Sequence, residues 1–197
     1  MVKKKALSTE VTEKIIGRLR EKELLRDLVE SNKSEFIAVY GRRRVGKTYL
    51  IKNLMSSFQC VFFHVTGLQK GSSKDQLKEF AKQIGKTFYQ SPSIVPQKQW
   101  GDAFEDLTDA INEIPKEKTV VLFFDEFPWM ATPRSKLLTA LELYWNRYWV
   151  FDKRIKLIIC GSATSWIIDN IINNKGGLHN RVTRTIHLKP FSLHETE

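Results

Sequence analysis

Strand-like and helix-like segments alternate along the 197 residues, which predicts an α/β domain with a parallel sheet covered on both faces. Two further observations support that class. The strand-sized segments "EFIAVY", "VVLFF" and "KLIIC" are nearly continuous apolar runs, as expected of strands buried on both sides. The first of them ends directly on a glycine that opens a turn and a helix. The length suits one substantial core rather than two full domains.

In chain order, "LREKELLRDLVES" (19–31) spaces its leucines at helical period with charges between them, and reads as a surface helix. "EFIAVY" (35–40) is the first strand, and a helix runs from Gly46 to about Ser57. "QCVFFHVT" (59–66) is the second strand, ended by Gly67. A capping serine starts the amphipathic helix in "SSKDQLKEFAKQIGKTF", the proline-marked "SPSIVPQ" is a loop, and residues 98–114 form another helix. "TVVLFFDEF" (119–127) is the most apolar strand, followed by a helix from about Ser135 to Trp149. "IKLIICGS" (155–162) is the next strand, "SWIIDNIINN" a helix, and "RTIHLKPF" the last strand.

Composition narrows the partners. An apolar content of 42% with 27% charged residues is that of a globular protein, and no apolar run is long enough to span a bilayer. The basic start "MVKKKALSTEVTEK" lacks the apolar centre of a secretory signal, so the expected location is cytoplasmic. Cys60 and Cys160 each fall in a predicted strand and read as buried reduced thiols. His64, His179, His187 and His194 form no metal-ligand spacing with one another or with the cysteines. The net charge of +10 favours an anionic partner without saying which.

Residues 41–48, "GRRRVGKT", fit the pattern G-x-x-x-x-G-K-[ST] of a phosphate-binding loop. Gly41 and Gly46 allow the backbone to wrap closely, so that amide N–H groups of Arg42, Arg43, Arg44, Val45 and the helix start at Lys47, Thr48 and Tyr49 can face an anion. Lys47 would reach the β- and γ-phosphates, and Thr48 would offer its hydroxyl to Mg²⁺. The arginines occupy variable positions, with side chains directed outward to solvent, a neighbouring subunit or nucleic acid. Asp125 and Glu126 end the most apolar strand. A carboxylate at that tip can share Mg²⁺ with Thr48, and Glu126 is then placed to polarise a water. The sequence thus reads as a P-loop NTPase, a three-layer αβα sandwich.

Five segments taken in order resemble the prokaryotic archaeal-type ATPases of the AAA+/STAND group of P-loop NTPases. These are "IIGRLREKELLRDL", "VYGRRRVGKTYLI", "LFFDEFPWM", "LIICGSATSWI" and "LHNRVTRTIHLKPFS". The resemblance implies a sheet of order 5-1-4-3-2, with "IKLIICGS" inserted between the strands that carry the two Walker motifs. It implies that Ser162, with Thr164 behind it, senses the γ-phosphate, and that Gly17 and Arg18 lie near the base. Arg181 matches an arginine that acts on a neighbouring subunit in relatives, although Asn180 stands where they carry glycine; Arg184 is the reserve.

The resemblance also implies a division into an N-terminal extension (1–16), an ATPase core (17–190) and the start of a lid (191–197). Such relatives continue into a helical lid, so a fragment is expected. The expected function is Mg²⁺-dependent binding and hydrolysis of ATP, with Lys47, Glu126, Ser162 and Arg181 in catalysis and Thr48 and Asp125 on the metal. Expected partners are ATP and ADP, with a second copy of the chain or nucleic acid as open alternatives and no membrane. A nucleotide-gated switch and a DNA-associated ATPase module are the rival functions. The stripe Leu137, Leu141, Tyr144 and Tyr148, with Trp145 and Trp149, reads as core packing, the alternative being stacking on single-stranded nucleic acid. Lys3, Lys4 and Lys5 are read as solvated.

Overall fold

The computed structural model describes residues 16–91 and 94–191. The reading of Lys3, Lys4 and Lys5 therefore lies outside the described residues, as do His194, nearly all of the extension and all but Phe191 of the segment assigned to a lid. The elements follow in the order α1 (Leu19–Glu30), β1 (Glu35–Tyr40), α2 (Lys47–Met55), β2 (Val61–Thr66), α3 (Ser73–Phe88) and α4 (Trp100–Asn112). Then come β3 (Val120–Asp125), α5 (Phe127–Met130), α6 (Leu137–Arg147), β4 (Ile155–Gly161), α7 (Thr164–Ile167) and β5 (Arg184–His187). A 3-10 turn over Trp149–Phe151 follows α6, and a π turn over Ile168–Ile172 extends α7.

The five strands form one all-parallel sheet in the order β2-β3-β4-β1-β5, which read from the other edge is 5-1-4-3-2. The period of two along each strand splits the core into two layers. Phe36, Ala38, Leu122, Phe124, Leu157 and Ile159 face one side, where α3, α4 and α6 pack. Ile37, Val39, Val121, Phe123, Ile158 and Cys160 face the other, against α1 and α2. Every residue of β3 and β4 is buried, which is why those segments are apolar without alternation.

The stripe on α6 is core: Leu137, Leu141, Tyr144, Trp145 and Trp149 are buried, and only Tyr148 stands out of the layer. Trp145 packs 5.0 Å from Phe36, and Trp149 5.3 Å from Phe104. Cys160 is buried in β4 as a free thiol, while the free thiol of Cys60 lies just before β2 and is only partly buried. Burial pushes the Cys60 thiol up to about 11.

Several element boundaries differ from the sequence reading, three of them at strand or helix ends. The strand expected over 119–127 stops at Asp125, because Glu126 turns left-handed at φ 44° and starts α5 with Pro128 in its first turn. The last strand stops at His187 rather than running to Phe191. The helix expected to Trp149 ends at Arg147 and tightens into the 3-10 turn.

Candidate functional site

The carboxyl ends of β1, β3 and β4 bring the chemistry-bearing residues together. Gly41 leaves β1 at φ 146°. A Cβ there would sit 2.2 Å from the carbonyl oxygen of Leu188, the residue that follows β5 and donates its own N–H to Tyr40 O at 2.8 Å. Glycine is thus demanded by a neighbouring strand as well as by the loop. Gly46 takes φ 92° with open space where a Cβ would be, and serves as the N-cap of α2.

Lys47 is buried, and its Nζ donates to the carbonyl oxygens of Gly41 at 2.9 Å and Arg42 at 2.8 Å. The ammonium is therefore held inside the curl of the loop. Thr48 Oγ1 donates to Asp125 Oδ2 at 2.8 Å, which joins the first turn of α2 to the tip of β3. Asp125 Oδ1 accepts from the backbone N–H of Glu126 at 3.0 Å. Burial works against the Asp125 charge, but His64 and the Thr48 hydroxyl outweigh it, and the carboxyl lies below the ordinary carboxylate range. The neighbouring Cys160 thiol is pushed well above its usual value by burial and then by Asp125, so it remains protonated.

Glu126 Oε2 accepts two hydrogen bonds from Ser162, one from Oγ at 2.9 Å and one from the backbone N–H at 3.1 Å. Arg43, Arg44, Gly46, Lys47, Thr48, Tyr49, Glu126 and Trp129 line one open cavity of about 480 Å³. Val45 is partly buried and packs on the α1/α2 layer. Arg18 is buried beside the loop, with Nη2 3.5 Å from Val45 O and its guanidinium 4.1 Å over the ring of Phe191. Gly17 precedes it in left-handed backbone at φ 64°.

Arg181 is not brought to this cavity. Its neighbour Thr183 donates its backbone N–H to Phe36 O, so Arg181 stands beyond the start of β5, at the far end of the sheet from Gly41. Arg184 pairs with Asp27 at 3.6 Å instead. Thr164 opens α7, two residues after Ser162. The arginines of the loop are exposed, yet Arg43 folds back over Trp129 rather than pointing outward.

Sequence reasoning passed over His64, whose Nε2 lies 3.8 Å from Asp125 Oδ2 and 3.1 Å from Thr66 Oγ1. The His64 ring stacks 4.8 Å from Phe123. The available signal was a polar pair two residues apart in an apolar strand. Thr48 and Asp125 supply a hydroxyl and a carboxylate, oxygen donors of the kind that could hold a hard divalent cation such as Mg²⁺. Among the described residues no cluster of three His, Cys, Asp or Glu is arranged to hold a metal by protein ligands alone. No helix among them is long and apolar enough to cross a membrane.

Comparison with known proteins agrees with this geometry. Residues 17–196 match the model of an ATPase domain predominantly from Archaea. An uncharacterized protein of Methanocaldococcus jannaschii, MJECL04, is 30% identical over 178 residues, covering 88% of this chain and 36% of its own. The Walker-type ATPase PABY2304 of Pyrococcus abyssi superimposes with a TM-score of 0.62 at 19% identity, over 93% of this chain and 56% of the other. The Aeropyrum pernix ORC1 protein, solved in complex with DNA, gives a TM-score of 0.63 at 14% identity, over 96% and 49%. The chain spans roughly a third to somewhat over half the length of these relatives. With the P-loop α/β fold and a family match running through the loop, the acidic strand tip and β5, this chain belongs to the ATPase-domain family found predominantly in Archaea.

Proposed function

We propose that residues 17–190 form the core of a Mg²⁺-dependent ATP-binding and ATP-hydrolysing module. The observation that carries the reading is the 2.8 Å contact between Thr48 Oγ1 and Asp125 Oδ2. It sets a hydroxyl and an ionised carboxylate side by side, next to a loop whose amides and lysine suit phosphate. Bound Mg²⁺ would neutralise phosphate charge, and Thr48 and Asp125 would hold it. Lys47 would leave the carbonyls of Gly41 and Arg42 for the β- and γ-phosphates. Glu126 would take the proton of the attacking water, and Ser162 would orient the Glu126 carboxylate and register the γ-phosphate. Gly17 and Arg18 flank the loop on the side assigned to the base. Arg181, far from its own cavity, can act only on that of a neighbouring copy.

A second reading, a nucleotide-gated switch, is favoured by the Ser162–Glu126 contact itself. A base tied by two hydrogen bonds is one whose release can be coupled to conformation. Labelled-ATP binding and ATP turnover, measured with Mg²⁺ and with EDTA, test both readings. Wild type is expected to bind with Mg²⁺, Lys47→Ala to lose binding about tenfold or more, and Asp125→Asn to lose the Mg²⁺ dependence. Glu126→Gln is expected to bind as wild type and turn over about a hundredfold more slowly. Absence of ATP binding by folded wild type would sink both readings. Binding without Glu126-dependent turnover would leave the switch.

A further inference from the structure

The guanidinium carbon of Arg43 lies 5.2 Å from the centroid of the Trp129 ring, within cation–π range. The two residues are far apart in sequence and come from different elements. Arg43 belongs to the phosphate loop, and Trp129 to α5, the short helix that begins where Glu126 ends. Both line the cavity that also holds Lys47, Thr48 and Glu126.

The Trp129 side of the contact is anchored. Its backbone N–H donates to Glu126 O at 2.9 Å, and its carbonyl accepts from Gln76 Nε2 at 3.2 Å. Gln76 is buried and also exchanges two hydrogen bonds with the backbone of Leu68, at 2.9 Å through Oε1 and 2.8 Å through Nε2. Arg43, by contrast, is exposed and has no ion-pair partner among the described residues. An aromatic ring carried on an anchored backbone therefore faces a guanidinium that pairs with no carboxylate among the described residues. Among the described residues that line the cavity the one acid is Glu126, and its Oε2 is engaged by Ser162.

We propose that Arg43 is a ligand for the terminal phosphate of a nucleoside triphosphate bound by its own chain, and that Trp129 is the platform that aims it. The proposal rests on the reading of this cavity as the ATP site. Lys47 serves the β/γ bridge from inside the loop, whereas Arg43 approaches from the Glu126 side, where the γ-phosphate ends. A planar guanidinium can make paired hydrogen bonds to two phosphate oxygens, and these are stronger than a solvent-exposed cation–π contact. A diphosphate has no group at that place. The pair thus discriminates ATP from ADP, in addition to any arginine supplied by a second copy.

Binding of labelled ATP and ADP with Mg²⁺ to the full chain tests this. Arg43→Ala is expected to lose about tenfold in ATP affinity and less than about twofold in ADP affinity, and Arg43→Lys to restore only part, since a lysine lacks the planar fork. Trp129→Ala should lose ATP affinity about threefold with ADP unchanged, while Trp129→Phe, which keeps a ring face, should bind as wild type. Mixing Arg43→Ala chains with Lys47→Ala chains should restore nothing, because the arginine acts within its own chain. Equal losses for ATP and ADP, no loss for either, or restoration on mixing would overturn the proposal while leaving the ATP site standing. Wild type that fails to bind ATP would overturn both.

Discussion

Ser162 donates twice to one oxygen of Glu126, from its hydroxyl at 2.9 Å and from its amide at 3.1 Å. Ser162 follows β4 and Glu126 follows β3, adjacent strands in the sheet, so the contact is a direct consequence of the strand order. It fixes the direction in which the second Glu126 oxygen is presented, and the left-handed backbone at Glu126 fixes where the side chain leaves the strand.

If Glu126 is the base, as proposed, removing the hydroxyl should misdirect it without weakening nucleotide binding. Ser162→Ala is expected to bind ATP within about threefold of wild type and to turn it over about tenfold more slowly, the scale of effect expected from a misplaced catalytic group. Ser162→Thr, which keeps the hydroxyl, should recover most of the rate. Unchanged or faster turnover in Ser162→Ala would mean that the serine only packs beside the site. Single-turnover rates with saturating ATP separate these outcomes.

Much of the architecture was legible because its causes are local. The glycines and lysine of "GRRRVGKT" lie close together in sequence, and β3 and β4, apart from Asp125 and Lys156, are apolar because they are covered on both faces. The sheet order was not readable from periodicity and came from the family resemblance. What stayed hidden depends on contacts between distant residues. Phe127 extends the apolar run of β3, so the strand was read through to it, and the turn at Glu126 that starts α5 was missed. Arg43 has no local partner in the sequence, so its fold over Trp129 could not be foreseen.

Two buried polar residues in apolar strands show the same limit. Lys156 in β4 donates to the carbonyls of Ser31, Lys33 and Lys153, with burial holding its pKa below the ordinary lysine value. Glu35 at the start of β1 accepts from Ser31 Oγ at 2.9 Å and Thr183 Oγ1 at 2.5 Å. Each serves loops that become neighbours only after the sheet has formed. A strand pattern registers them as exceptions and gives no reason for them.

The loop before β4 is held by a fork that links stability to pH. Arg154 is buried and donates through Nε and Nη2 to both oxygens of Asp152, and through Nη1 to Ile114 O at 2.7 Å. Burial works against the Asp152 charge, but hydrogen bonds from Arg154 outweigh it, so the carboxyl lies below its ordinary range. A carboxyl whose folded pKa is depressed contributes stability above its unfolded value of about 3.9, and loses it as pH falls through the folded value. Arg154→Met should cost about 2 kcal/mol at neutral pH. It should also flatten the acid limb of the urea midpoint against pH below about pH 4. An acid limb with the wild-type slope would show that Asp152 owes its low pKa to something other than Arg154.

Gly41 separates the demands of the fold from those of the phosphate site. A methyl group there would lie 2.2 Å from Leu188 O, which is backbone and cannot swing away as a side-chain end would. Relief requires β5 to part from β1 where Leu188 N–H meets Tyr40 O, or the loop to leave its φ of 146°. Gly46 differs, since a methyl group there meets nothing within 4 Å and only the left-handed φ of 92° is penalised. Gly41→Ala is therefore expected to lower stability by about 2–3 kcal/mol, the range for a strained backbone position, and Gly46→Ala by about 1 kcal/mol. Both should weaken ATP binding, so chemical denaturation distinguishes them where activity does not. Equal losses of stability in the two variants would show that β5 yields easily and that Gly41 answers to the loop alone.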